Sequence, residues 1–405
     1  MFSFISNRLA VMQGRGVRNV KTPQPDNLKY GSDGYSDFSS YICSWNQKCS
    51  FMTETDKRKY ILPAEWYEQS GVQLTWPHED TDWRPYLDEI TEVCLNLVKA
   101  IAGHEKVLVA ARDAEKVRQL IESAMDESLH DNIRVYQCEN NDTWARDHAF
   151  ITLVPEQDGA EGECRLLDFR FNGWGCKFPA DKDNRINASL HAAGAFNGVR
   201  VDNDDFVLEG GSIESDGRGT VFTTSICLLA PNRNQPMTRE EIECRLKKEL
   251  CADRVVWLDY GSLVGDDTDG HIDTTVRTAP DDTLVYVGCD NKEDEQYEDF
   301  RMLEEQLRGL RTTDGRPYRL LRLPMPDAVY YDGERLPATY ANFLIINGAV
   351  IVPEYDQPEN DAEARRVIAE AFPDREIVGV NALAVVRQHG SLHCMTMQFP
   401  KGCMR

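Results

Sequence analysis

The stretch "LDEITEVCLNLVKAIAGHEKVLVAA" (87–111) decides the fold class. Leu87, Ile90, Cys94, Leu97, Val98 and Ile101 keep one helical stripe that stops at Gly103, and a short apolar run, "KVLVAA" (106–111), follows. A 3.6-residue stripe predicts an amphipathic helix, and a brief apolar run after a glycine predicts a buried strand.

Working outward, the same alternation recurs. Strands are expected at "IRVYQ" (133–137), "FITLV" (150–154), "RLLDFRF" (165–171), "TVFTTSICLL" (220–229), "RVVWLDY" (254–260), "TLVYVG" (283–288), "FLIINGAVIVP" (343–353) and "LHCMTMQF" (392–399). Between them Thr238 and Glu241 form a capping box ahead of Ile242 and Leu246, and Val367, Ile368 and Ala371 end a helix before Pro373. The expected class is α/β with one continuous core and no crisp internal repeat in the sequence. Residues 52–405 read as one catalytic domain. Residues 1–51 read as a flexible extension or a mis-started segment, because the first 50 carry six Lys/Arg against three Asp/Glu and lack any sustained period.

The whole chain of 405 residues has 68 acidic and 45 basic side chains, a net charge of −23. That excess disfavours nucleic acid and anionic membrane as partners and suits a cationic one. No apolar window approaches membrane-spanning length, so a cytoplasmic location is expected. Twelve cysteines are scattered without a Cys-x-x-Cys pair or a His-Glu-x-x-His, which predicts reduced, independent thiols and no metal site.

Four stretches look chemical. "NDTWARDHAFITL" (141–153) sets Trp144, Arg146 and Asp147 before a strand, with Arg146 read as structural. In "DDFVLEGGSIESDGRGTVFTT" (204–224) Glu209 follows an apolar "FVL", a placement that is costly unless a cation meets it. "GDDTDGHIDTTVR" (265–277) puts Asp269, His271 and Asp273 on one face if extended; alone it is equally an acidic turn. In "HGSLHCMTMQF" (389–399) Cys394 opens a strand where a thiol can face a cleft, and alone it is equally a buried apolar group. Its neighbour His393 would face the other way.

In order along the chain, "LPAEWYEQSGVQLTWPHEDTDW" (62–83), "NDTWARD", "FNGWG" (171–175), "LEGGS" (208–212), "LLAPNRNQPMTREEIE" (228–243), "DTDGHID" (267–273), "LPATYANFLIINGAVIVP" (336–353) and "SLHCMTMQ" (391–398) resemble the agmatine deiminase and bacterial peptidylarginine deiminase family of guanidino-group-modifying enzymes. The resemblance implies a single-domain five-bladed α/β propeller, the pentein fold, with pseudo-fivefold repeats. It implies Cys394 as nucleophile, His271 as general acid and base, and Asp147, Glu209 and Asp273 as the carboxylates that hold the guanidinium and steer the histidine. Trp76 and Trp144 would flank the substrate. Asp147, Glu209 and His271 are spaced 62 and 62 residues apart, which is consistent with one group per blade.

The implied reaction converts agmatine to N-carbamoylputrescine and ammonia through a covalent thiouronium, in polyamine synthesis, with no metal or organic cofactor. Arginine or peptidyl-arginine deimination by the same chemistry is the alternative, and an amidinotransferase-like or guanidine-binding relative a further one. The expected partner is a small cationic guanidine, and a homodimer is the assembly to test. The residue types suit this chemistry, because a guanidinium of pKa about 13.8 arrives as a delocalised cation, and fixed carboxylates bind and aim it for a thiolate. The chain departs from the usual Gly-Gly-Gly-Asn-Ile-His-Cys at Gln388, His389 and Ser391, has Ile213-Glu214 where Ile-His is common, and has Thr274-Thr275 after the His-x-Asp. These changes bear on which guanidine is accepted.

Overall fold

The computed structural model describes residues 60–156 and 163–405; the expectations for residues 1–51 lie outside the described residues. Among the described residues one local order of elements recurs five times: two antiparallel strands, a helix, and a third strand parallel to the second. The first sheet pairs Thr396–Pro400 antiparallel with Gln69–Thr75, which runs parallel to Lys106–Ala111 across the helix Leu87–Ala102, with Ile133–Gln137 outermost. The other four are Ile151–Pro155, Cys164–Arg170 and Gly198–Val207; Ile213–Ser215, Thr220–Thr224 and Arg254–Leu258; Val276–Ala279, Thr283–Gly288 and Arg319–Pro324; and Leu344–Ile346, Ala349–Glu354 and Glu376–Asn381. Asp183–Ala192, Arg239–Glu249, Tyr297–Gly309 and Pro358–Ala371 are their crossover helices. Because the last strand of the chain pairs with the first of these, the two ends of the fold share one sheet.

Local chemistry explains where the expected elements hold and where they shift. The helix Arg239–Glu249 starts at the expected capping box, Glu241 accepting from the Thr238 amide at 2.9 Å and Thr238 from the Glu241 amide at 3.3 Å. "TVFTTSICLL" divides into Thr220–Thr224 and a one-turn helix, Ser225–Leu228, because the Thr224 hydroxyl accepts from the Cys227 amide and stops the strand. "FLIINGAVIVP" is a hairpin turning at Asn347-Gly348, where Gly348 has φ 72°. The strand Gln69–Thr75 was not expected, since Gln69, Ser70, Gln73 and Thr75 hide its β character. Its buried Gln69 amide is satisfied by the carbonyls of Glu65 and Ile345 at 2.6 and 2.9 Å.

The thiol expectation needs one correction. Cys164 and Cys403 form a disulfide that ties the C-terminal residues to the strand Cys164–Arg170, while Cys94, Cys138, Cys176, Cys227, Cys289 and Cys394 are free. Sequence spacing could not reveal this pair, whose members are 239 residues apart. Among the described residues no helix is long and apolar enough to cross a membrane.

Opening so long a loop restores unfolded-chain entropy worth about 2–4 kcal/mol. Cys403→Ser, or reduction of the unmodified protein, should therefore cut the unfolding free energy by the same amount and lower the guanidinium unfolding midpoint. An unchanged midpoint in both would refute the bridge.

Candidate active site

Every recurring unit delivers a polar group just ahead of its first strand. Cys394 precedes Thr396–Pro400, Asp147 precedes Ile151–Pro155, Glu209 precedes Ile213–Ser215, and His271 and Asp273 precede Val276–Ala279. Asn342, before Leu344–Ile346, is the fifth, and the sequence reading missed it. The five expected groups are all almost inaccessible, from 0% exposure at Glu209 and Asp273 to 5% at Cys394.

The Cys394 thiol lies 3.4 Å from Asn342 Oδ1 and 3.9 Å from Asp273 Oδ2. Burial first, and then the charges of Asp273 and Asp147, push it well above the usual thiol range, so at rest it keeps its proton. His271 and Asp147 form a buried ion pair at 3.7 Å. Burial works against the charged ring, but the charge of Asp147, the charge and hydrogen bond of Cys227 and the charge of Glu209 together outweigh it, and His271 holds its proton well above the ordinary histidine range. Asp147 accepts from the Gly211 amide and the Trp174 indole, each at 3.0 Å; burial still raises its pKa, more than His271 lowers it.

Glu209 has the cation that its apolar setting demanded. Arg233 Nε donates to its two oxygens at 2.9 and 3.2 Å, and the rest of that guanidinium is fixed by Asp269 at 2.7 Å and the Thr268 carbonyl at 2.6 Å. Asp269 orients Arg233 and pairs with Lys177 at 2.8 Å. Asp266 is the turn-maker, accepting from the amides of Thr268 and Gly270 at 3.2 and 2.6 Å.

The stretch around His271 is a short 3-10 turn, Ile272–Thr274, where an extended segment was expected. The Thr274 hydroxyl donates to the His271 carbonyl at 2.7 Å and folds the chain on itself. His271 and Asp273 nevertheless meet the same site.

Behind Asp273 lies a network that the sequence did not announce. His393 bridges Asp273 Oδ2 and Glu65 Oε2, 2.7 Å from each, with Arg277 Nη2 3.1 Å from its Nε2. Arg277 donates to Glu65 and Glu214 at 2.6 Å each, and to the carbonyls of Ala341 and Phe343. Burial opposes ionisation of Asp273, but the hydrogen bond and charge of His393 prevail and hold it below the usual carboxylate range. Arg146 is buried beside this network, 4.0 Å from Glu65, and has a structural position as expected.

Trp76 and Trp144 are buried in the main apolar core, Trp144 packed against Trp83 at 5.5 Å. The indole that touches a site carboxylate is Trp174, whose signal was its place between two glycines in "FNGWG". Gly211 has a plainer signal, the double glycine after Glu209. A Cβ there would stand 2.6 Å from His271 Nδ1, 2.9 Å from Asp147 Oδ1 and 3.1 Å from Asp273 Oδ2.

Two groups of side chains have the makings of a metal site: Glu209, Cys227 and His271, and Glu65, Glu214 and His393. Arg277 already occupies the centre of the second. Together the arrangement offers a thiol, a protonated histidine and three carboxylates, which suits cleavage of a planar cation.

Gly211→Ala places a methyl among the three groups it faces. Its catalytic efficiency should fall at least about 100-fold while the far-UV circular dichroism stays native, and near-normal turnover would refute this geometry.

Residues 61–400 match the model of the Porphyromonas-type peptidyl-arginine deiminase family. An agmatine deiminase of Pseudomonas putida is 34% identical over 364 residues, 84% of this chain and 95% of that protein. A substrate-bound agmatine deiminase variant of C. jejuni is 36% identical, with a TM-score of 0.77, 85% of this chain and 97% of that one being covered. A Porphyromonas gingivalis structure under the provisional name of an arginine deiminase is 48% identical, with a TM-score of 0.80, 86% of this chain and 100% of that one being covered. The chain belongs to the Porphyromonas-type peptidyl-arginine deiminase family.

Proposed function

We propose that the protein is a cysteine-dependent guanidine deiminase that hydrolyses agmatine to N-carbamoylputrescine and ammonia. One observation carries this reading: the Cys394 thiol and the His271 ring each lie beside a buried carboxylate, in a chain that aligns with agmatine deiminases over most of its length. The guanidinium binds among Asp147, Glu209 and Asp273, and Glu209 keeps lone pairs for it beyond those that Arg233 uses. Burial and the charges of Asp273 and Asp147 keep Cys394 protonated; the substrate's positive charge offsets those two carboxylates, so on binding the thiol gives its proton to solvent and the thiolate forms.

The thiolate adds to the central carbon. His271 gives its proton to the departing nitrogen, the carbon–nitrogen bond breaks and ammonia leaves, with a thiouronium on Cys394. The now neutral His271 takes a proton from water and hydroxide adds to the same carbon; as the carbon–sulfur bond breaks, the adduct's hydroxyl proton passes to the departing sulfur, which frees the ureido product and restores the Cys394 thiol.

Arginine or a peptidyl arginine is the second reading, favoured by the 48% identity to the Porphyromonas gingivalis protein. Agmatine is preferred because it brings no carboxylate. The nearby cations are committed, Arg233 to Glu209 and Asp269, and Lys177 to Asp269 and the Asp267 carbonyl.

The finer architecture follows the same reading. The five recurring units are the blades of a five-bladed α/β propeller, each supplying one site group, in a catalytic domain of residues 52–405. Trp76 and Trp144 wall the substrate tail; in support, Trp144 packs against the loop before Cys394, where a Cβ on Gly390 would come 2.2 Å from its ring. A homodimer is the assembly proposed. A cytoplasmic site of action fits a small metabolite, whereas the Cys164–Cys403 bridge fits an oxidising compartment, and counting free thiols in protein from its native compartment decides between them.

Purified protein offered agmatine, arginine and an arginyl peptide should release ureido product from agmatine. Product from none would end the deiminase reading, and product from the peptide alone would overturn the substrate. Cys394→Ser should yield no product while agmatine still raises its Tm.

A pH profile tests His271. Activity needs the ring protonated, and its pKa is raised, so the alkaline fall in kcat/KM should lie well above the ordinary histidine value of about 6.5. A fall centred near that value would contradict the assigned role.

A further inference from the structure

We infer that Glu209, Cys227 and His271 form a binding site for a thiophilic divalent cation of the zinc class, and that occupation of this site blocks the enzyme. Only the word "blocks" rests on the deiminase reading; the site itself rests on geometry. The donor atoms of the three side chains all lie within 4.8 Å of one another, and all three residues are buried. They combine a carboxylate oxygen, a sulfur and an imidazole nitrogen, a donor set that zinc accepts and magnesium or calcium does not.

A second, independent feature points to a ligand. His271 is 1% exposed, and neither ring nitrogen has a well-formed hydrogen bond to any group outside the cluster: Asp147 stands off at 3.7 Å, and the remaining partner is the Cys227 thiol. The other candidate cluster differs in this respect, since Arg277 fills the space between Glu65, Glu214 and His393.

Cys227 is held in place rather than adventitious. It sits in the one-turn helix Ser225–Leu228, capped by Thr224, and the Thr224 hydroxyl donates to the Gly270 carbonyl at 2.6 Å. That bond joins the turn bearing Cys227 to the residue before His271. Arg233 works against the ion, because it already donates to both oxygens of Glu209. Asp147, Glu209 and Asp273 nonetheless outnumber it once His271 is neutral, so the site suits a reversible inhibitor better than a permanent structural ion.

Binding forms metal–sulfur, metal–nitrogen and metal–oxygen bonds, and one proton from the thiol and one from the ring pass to solvent. The metal then occupies the atoms that the reaction needs on His271 and Glu209. Inhibition is therefore competitive with agmatine and involves a thiol other than the nucleophile.

Cobalt(II) is the probe, because a cobalt–thiolate bond absorbs in the near ultraviolet. The band should appear in the unmodified protein and in Cys394→Ser, be displaced by agmatine, and disappear in Cys227→Ala. Zinc should inhibit the unmodified enzyme, and Cys227→Ala should need at least tenfold more zinc for half-inhibition. A band lost in Cys394→Ser but kept in Cys227→Ala would put the ion on the nucleophile and overturn the proposal; no band in any protein would do so as well. If Cys227→Ala does not fold, an agmatine-sensitive band in Cys394→Ser still assigns the second thiol. A band with this pattern in a protein that turns over no guanidine would sustain the site and refute the deiminase reading instead.

Discussion

The structure depends on one buried guanidinium. Arg277, on the first strand of the fourth sheet, is inaccessible to solvent and reaches Glu65 ahead of the first sheet, Glu214 in the third, and the carbonyls of Ala341 and Phe343 at the entry to the fifth. Arg146, from the second, packs on the same Glu65. Arg277 thus bears on elements from four units, and Arg146 brings in the remaining one through Glu65. Burying such charges is expensive, and mutual attraction repays the cost only when each hydrogen-bonding position is filled. Glu65 shows the condition met: it also accepts from the Ile345 amide at 2.7 Å and from His393, and Glu214 accepts from the amide and hydroxyl of Thr278 at 2.9 and 2.7 Å.

Through His393 this network becomes chemistry. The ring that Glu65 holds on one side holds Asp273 on the other, so the carboxylate nearest the nucleophile is aimed from behind and held ionised. The other two carboxylates are fixed by different means, Asp147 by a backbone amide and an indole, Glu209 by Arg233. Three separate supports leave little to reorganise when a planar cation arrives, which is the condition for electrostatic catalysis in a dry site.

How much of this was legible in the sequence follows from the range of each interaction. Glu209 behind "FVL" demanded a cation, and Arg233 answers that demand from 24 residues away. The helix Leu87–Ala102 and the capping box at Thr238 are local and were readable. The fivefold recurrence was hidden because the units differ in length: the extra hairpin Tyr330–Tyr331 with Glu334–Arg335 breaks the 62-residue spacing between His271 and the next unit. The Arg277 network was hidden because its partners are 212, 120 and 63 residues apart, and no local pattern encodes such pairs. His393 was set aside because neighbours on a strand face opposite ways; residues 392–395 instead form a turn ahead of the strand, and His393 and Cys394 both reach Asp273 Oδ2.

The resting state of Cys394 carries a consequence for selectivity. A thiol kept protonated by burial and by two neighbouring carboxylates is inert toward most electrophiles, because the reactive species is the thiolate. A neutral urea or amide entering the same space leaves Asp147 and Asp273 uncompensated and the thiol protonated. On the proposed reading a guanidinium offsets both charges and so favours the nucleophile that attacks it. The ureido group of the product is neutral, so the carboxylates lose their counter-ion as soon as the reaction ends. The same electrostatics that admit the substrate therefore favour release of the product.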